Sequence, residues 1–592
     1  MNRKIKYFLI GLFTVAVAVA FMVLPGTAKT DVSGIVKKLD NKSAYEASYK
    51  EGNAKVEFVL RKLMNIYHND GEEAAIRFAT RNRLELENGR IAVEVEIKST
   101  ASYNTSRFNH TGMPSTGDEG MEQAMMMVKN RVEQLGGIVE KTYNHYFQGK
   151  ADIGTLDRLA ELPEISVVRS PVRFFTQAII SEGVADTKAG SIQSLTAYRN
   201  NTPVKVCIID GGFQNYSQLL GTELPSSVTV QSFTASGKVE NGQVHGTAVA
   251  EIIHDMAPDA ELYFAVISTT ADLVEAVDWA ISQKVDLISF SMGNYWGPLD
   301  GTGITNSLAV EAKAAGITWV CSAGNSGAEH WSGTFNDPDG NGWHNFSGSD
   351  EMFEFYVTAE ESHYYGVSTI LKWNDWGTWN ESTWDYSGAT QDYDLFLYIL
   401  VDGEWYLVDS SENRQPGYKY PYEGIGYYEF DEDTFWGVKI FKKNATQNVK
   451  FDMYIPTFTY GTLEYSTPEG SLTSPADSPN IISVGAIDAI QNTYHYYSSQ
   501  GPTADGRIKP DICAPSGVSC SDYTYGSRSQ GYGFYGTSAS CPHMTGAIAL
   551  LKSKTPFTTN EIVQILYGRA IDMGVAGADS KYGRGRLNMA KD

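Results

Sequence analysis

The sequence predicts an α/β protein built on a doubly wound, mainly parallel sheet, preceded by a ferredoxin-like α+β unit and interrupted by an antiparallel β-sandwich. Three observations carry this. Between about residues 204 and 322, apolar strand-like runs alternate with helix-periodic stretches, as in a sheet covered on both faces. Ahead of that region, from about 90 to 173, the predicted order is β-α-β-β-α-β. From 328 to 472 the helical periodicity vanishes, and this stretch holds eight of the chain's eleven tryptophans among short alternating runs, which suits stacked antiparallel sheets.

In chain order, Arg3, Lys4 and Lys6 precede an apolar run over 7–24 and the small residues Gly26-Thr27-Ala28, which predicts a secretory signal at 1–28 cleaved after Ala28. The run is also long enough for an uncleaved membrane anchor. Either way, the rest of the chain is expected outside the cytoplasm. Residues 29–180 form a leader. Its polar 72–81 stretch is helix-like, 91–97 alternates as a half-buried strand, and an amphipathic helix over 119–135 is closed by Gly136-Gly137. Two short strands over 138–153, a short helix over 155–162 and a strand over 165–172 complete the ferredoxin-like unit.

The α/β region begins at about 181. Strands at 204–209, 261–266, 287–291 and 318–322 alternate with helices at 245–255, 273–283 and 306–315. In such sheets chemistry gathers at the carboxyl ends of strands, and Asp210 directly follows the first one. The first part of this domain is 181–327, the insert is 328–472, with strand-like runs at 394–399 and 404–408, and the second part is 473–592. A long insertion is tolerable because closure entropy grows slowly with loop length.

The formal charge of -23 argues against nucleic acid or an anionic membrane as partner. Five cysteines are an odd number with irregular spacing, and no spacing resembles a zinc site. Cys207, Cys321 and Cys541 read as small buried hydrophobes. Cys513 and Cys520 bracket a Pro/Gly loop and are the best candidates for a disulfide.

Ser538, in Gly536-Thr537-Ser538-Ala539-Ser540-Cys541-Pro542, needs a base to become a nucleophile, and that base works best when a buried carboxylate holds it. His245, in His245-Gly246-Thr247, and Asp210, in Asp210-Gly211-Gly212, supply one candidate for each role. Alone, each has an ordinary reading as turn aspartate, helix-start histidine or helix N-cap serine. Together with Ser322-Ala323-Gly324-Asn325, these blocks resemble the four signature blocks of subtilases, the subtilisin-like serine peptidases, in the order Asp, His, Ser. The resemblance covers about 180–327 and 473–592, including 509–515 and 582–588. It departs at Gly211, where the family often has Ser or Thr, and at Ala539-Ser540-Cys541, where it often has Met-Ala-Ser.

The resemblance implies a secreted serine endopeptidase acting on proteins or peptides, with Ser538 as nucleophile, His245 as general base and acid, and Asp210 holding the imidazolium. Asn325 and the Ser538 backbone N–H would form the oxyanion hole. Ser291, Met292, Gly293, Ser322, Ala323 and Gly324 would line a roomy apolar substrate pocket that favours hydrophobic or aromatic residues. Residues 29–180 would be a prosegment, an intramolecular chaperone and inhibitor removed between about 173 and 184. The chemistry needs no cofactor. Structural calcium is possible at Asp337, Asp339 and Asn341, where an EF-hand-like opening has Gly342 at its sixth position, but Gly348 stands where the closing glutamate belongs and tips the reading toward a turn. An ordinary Asp/Asn/Gly turn is the other reading of that segment. The aromatics of the insert suit core packing, with glycan, polymer or substrate docking as the alternative. A different functional class, a catalytically idle or narrowly regulatory binding protein that uses the insert, lacks any need for the four catalytic groups together.

Overall fold

The computed structural model describes residues 53–590 except 82–83, 85, 88–89, 99–118, 144, 172–174, 177–182, 196–202, 360–365, 416, 429, 431, 457–462, 490 and 521–532. The signal or anchor predicted at 1–28 lies outside the described residues, as does most of the expected processing region. Among the described residues, no helix is long and apolar enough to cross a membrane.

Strands Arg90–Ile97, Ile138–Tyr143, Tyr146–Asp152 and Ile165–Arg169 form an antiparallel sheet in which the first strand lies between the third and fourth, and the third also pairs with the second. With helices Glu119–Gln134 and Leu156–Ala160 this is the ferredoxin-like unit. Two further helices, Phe58–Asp70 and Glu72–Arg81, join it, and Leu60, Leu63, Val93, Val95 and Ile153 share one core. The first strand differs from its predicted half-burial. Its intervening Glu94 and Glu96 are 0% and 3% exposed, because that face is covered by other parts of the chain.

The main sheet has seven parallel strands in the spatial order Ile512–Ser516, Ile481–Asp488, Thr318–Ser322, Leu287–Phe290, Lys205–Asp210, Glu261–Val266 and Thr229–Ser232. Helices His245–Met256 and Thr537–Lys554 pack on one face, and Thr270–Gln283 and Ile304–Ala314 on the other. The capping box of Thr269 and Asp272 starts the third of these helices. From Lys205–Asp210 the chain first fills the sheet on one side and then on the other, which makes the end of that strand the switch point where such folds build sites. The edge strand Thr229–Ser232 has no apolar run and was not predicted.

The insert is a β-sandwich of two four-stranded antiparallel sheets. Its first strand, His330–Thr334, pairs along its length with its last, Lys450–Tyr454. Trp373, Trp436, Tyr393 and Phe451 are buried between the sheets, so these aromatics are core. None of the five cysteines forms a disulfide, so Cys513 and Cys520, the best candidates for one, are not joined. Cys513 is a buried strand residue whose thiol contacts the Lys581 carbonyl at 3.7 Å.

Candidate active site

Asp210 ends its strand fully buried, and His245 opens a helix that has no side-chain cap of its own. The two carboxylate oxygens stand 2.8 and 3.0 Å from His245 Nδ1, while Oδ1 also accepts the Gly211 N–H at 2.7 Å. An ionised carboxylate only accepts, so Nδ1 must carry the proton, and the neutral ring keeps its lone pair on Nε2. The glycine after the histidine has a steric cause. A Cβ on Gly246 would lie 2.6 Å from the Gly212 carbonyl oxygen and 2.9 Å from Asp210 Cβ.

Ser538 lies in the first turn of the buried helix Thr537–Lys554, which packs on the histidine helix. The two backbones come close at Gly546, where a Cβ would meet Met256 Cβ at 2.4 Å. Pro542 has no N–H to return to the carbonyl four residues earlier, which is that of Ser538. Ser291 Oγ takes the vacancy, donating to the Ser538 carbonyl at 2.9 Å, and Ser538 Oγ donates back to the Ser291 carbonyl at 3.2 Å. Ser291, expected as pocket lining, therefore grips the backbone of Ser538.

Asn325 Oδ1 accepts two hydrogen bonds from Thr537, from its backbone N–H and its hydroxyl, each at 2.9 Å. The Thr537 hydroxyl in turn accepts the Gly324 N–H at 3.1 Å. A backbone N–H can only donate, so the atom facing it must be the amide oxygen, and the orientation of the Asn325 amide is fixed. Its Nδ2 makes no hydrogen bond among the described residues. That leaves an unused donor, on a residue only 7% exposed, next to the residue before Ser538. Thr537 was not singled out from the sequence, although its place beside the serine was the available signal.

Comparison with known proteins follows the same blocks. The sequence model of the Subtilase family matches residues 201–349 and 465–585, leaving out most of the sandwich. Subtilisin E of Bacillus subtilis (strain 168) is 25% identical over 266 residues, covering 40% of this chain and 67% of its own. The minor extracellular protease Vpr of the same organism is 23% identical over 531 residues, covering 79% of this chain and 61% of its own. The chain belongs to the subtilase family. It is a subtilisin-like serine endopeptidase. Among solved structures, the CspB protease of Clostridium perfringens aligns with 69% of this chain and 97% of its own at 15% identity, with a TM-score of 0.47.

In this subtilase, the Met292–Gly293 segment is already paired. Its backbone forms a short antiparallel ladder with Phe175–Thr176, Met292 opposite Thr176 and Gly293 opposite Phe175. The second half of the domain closes in from behind. The Thr473 N–H donates to the Ala323 carbonyl at 3.2 Å, and a Cβ on Gly324, which has φ +113°, would strike Ser499 Oγ at 2.7 Å and Thr473 Oγ1 at 2.8 Å. Ser322 ends the neighbouring strand at 1% exposure. Thr473 and Ser499 lie far along the sequence from the block they support and were not anticipated.

The calcium expectation fares differently. The Asp337 carboxylate is engaged by the N–H groups of Gly340, Asn341 and Gly342 at 2.8–3.1 Å. Asn341 Oδ1 accepts the Trp343 N–H at 2.8 Å, which turns its Nδ2 toward Asp339 and Glu351 at 2.9 and 2.6 Å. A cation site needs oxygens converging on one point, whereas here an amide nitrogen fills the space between the carboxylates. These residues fit a self-satisfied turn and do not fit calcium.

Proposed function

We propose that the chain is an exported endopeptidase made as a preproenzyme, hydrolysing peptide bonds through Asp210, His245 and Ser538. The observation that carries this reading is the Asp210 carboxylate on His245 Nδ1, set at the start of a helix that packs on the serine helix. Ser538 Oγ, turning its proton from the Ser291 carbonyl to His245 Nε2, attacks the peptide carbonyl as that nitrogen takes the proton, and Asp210 stabilises the imidazolium. The oxyanion is met by Asn325 Nδ2 and the Ser538 N–H at the positive end of its helix. His245 then gives its proton to the leaving amine, which departs as the acyl-enzyme forms. Water, deprotonated by the same nitrogen, releases the acid and restores Ser538.

Substrate would add a strand to Met292–Gly293, held by main-chain hydrogen bonds. The backbone of Phe175–Thr176 on that segment supports reading the leader as a prosegment that occupies the cleft until it is cut. The basic and apolar pattern of 1–28 supports export. Small residues at Ser291, Gly293, Ala323 and Gly324 support a preference for hydrophobic or aromatic residues before the cleaved bond. A peptide library should return such a profile, and one dominated by Arg or Lys would refute the preference.

A serine-directed fluorophosphonate tests the central claim. The processed protein should be labelled and a Ser538→Ala control should not. Absence of Ser538-dependent labelling would leave the idle, binding-protein reading in its place.

A further inference from the structure

We propose that the inserted sandwich is a second anchorage for the prosegment, which keeps it bound as a noncovalent inhibitor after the connecting backbone has been cut. This rests on the reading of residues 29–180 as a removable prosegment.

The insert completes a helix of the prosegment. Phe58–Asp70 has no side-chain cap from Glu57, and the Phe58 N–H donates instead to Asn413 Oδ1 of the insert at 2.6 Å. Asn413 is itself fixed by the buried Glu423, which accepts from its backbone N–H at 2.9 Å and its Nδ2 at 3.1 Å. One turn on, Lys62 forms an ion pair with Asp409 of the insert, the two being 5% and 6% exposed. The guanidinium of Arg61 donates to the Glu412 carbonyl at 3.2 Å.

A second cluster lies on the strand face that was expected to be solvated. Lys419 of the insert pairs at once with Glu96 of the prosegment and Asp385 of the insert, and the Tyr420 hydroxyl donates to Glu96 at 2.6 Å. Arg169, paired with Glu94, lies 4.5 Å from the ring centre of Trp296 and 5.3 Å from that of Tyr420. Burial pushes Glu96 up, but the Lys419 ammonium and the hydrogen bonds from Lys419 and Tyr420 outweigh it and hold the carboxyl below its ordinary range. Burial lowers His145 to about 4, so it stays neutral beside these cations.

These contacts are not rim pairs. Each of Lys62, Glu94, Glu96 and Arg169 is less than a tenth exposed. Truncating one member of a buried charged pair acts mainly on dissociation, because its partner is left unpaired. Separation also requires both clusters to open before water reaches either. Once free, the enzyme would expose an acidic and aromatic surface at Asp385, Asp409, Trp296 and Tyr420 that matches the prosegment it has lost.

The test separates this proposal from the peptidase reading. A Ser538→Ala chain carrying a site-specific protease's recognition sequence in place of residues 177–182 is cut by that added protease, and release of the prosegment is followed by size exclusion. The cut prosegment should co-elute with the remainder at micromolar concentration. Lys419→Met should shorten the half-life of that complex about a hundredfold. Tyr420→Phe, which deletes one hydroxyl and keeps the test open where the lysine variant does not fold, should shorten it about tenfold. Immediate separation of the otherwise unmutated cut protein would overturn the proposal, and so would unchanged half-lives in folded variants. Failure of the peptidase reading shows elsewhere, as absent labelling of the Ser538 protein.

Discussion

His245→Ala is expected to lower kcat on a chromogenic peptide by about a millionfold, with KM changed little. The ring touches the reaction only where protons move, so its loss removes transition-state stabilisation and leaves ground-state binding in place. What remains should be the ~10³–10⁴-fold advantage over water that the oxyanion donors and substrate alignment supply. The variant should still fold, although Asp210 keeps only the Gly211 N–H among its partners there, at a cost of about 1–3 kcal/mol for the exposed acceptor. Single-turnover measurement against active-site-titrated enzyme would check it. A kcat within tenfold of the parent would remove His245 from the mechanism.

Asn325→Ala is the next largest effect expected, about 10²- to 10³-fold in kcat. The donor acts on charge that exists only in the tetrahedral state, so KM should again hold. The structure adds a sharper expectation through Thr537, whose N–H and hydroxyl fix the amide. Thr537→Val keeps the backbone donor but deletes the hydroxyl, and kcat should fall less, about tenfold. Thr537→Ser should restore it. Equal losses in the valine and serine variants would assign Thr537 to packing alone.

The triad candidates were legible because each sits in a short local pattern: a strand ending in Asp210, a helix opening with His245, a glycine turn leading to Ser538. The parallel sheet was legible from its apolar runs, and the ferredoxin-like order from strand and helix periods. What escaped the sequence depends on partners far along the chain. Ser291 gripping the Ser538 carbonyl follows from Pro542, but only once the strand and helix are known to meet. The Asn325–Thr537 link spans the whole insert. Glu94 and Glu96 alternate with Val93 and Val95 as a solvated face would, and nothing nearby announces that Lys419, Tyr420 and Arg169 will cover them. Asp337-Pro338-Asp339-Gly340-Asn341-Gly342 failed in the opposite way, since a ligand-like spacing was satisfied by the loop's own amides.

The pairing of the insert's first strand with its last bears on how the molecule assembles. Thr318–Ser322 and Ile481–Asp488 are neighbours in the main sheet although the whole sandwich is made between them. During synthesis the first waits as an open parallel edge, a hazard for mispairing with other chains. Contacts between distant residues form slowly because the entropy of closing the intervening loop is lost before the contact is gained. The ladder of His330–Thr334 with Lys450–Tyr454 gathers that chain into a closed neck. Once it has formed, the sheet's two halves are joined by what behaves as a short connection, which lowers the closure cost of bringing Ser538 to Asn325.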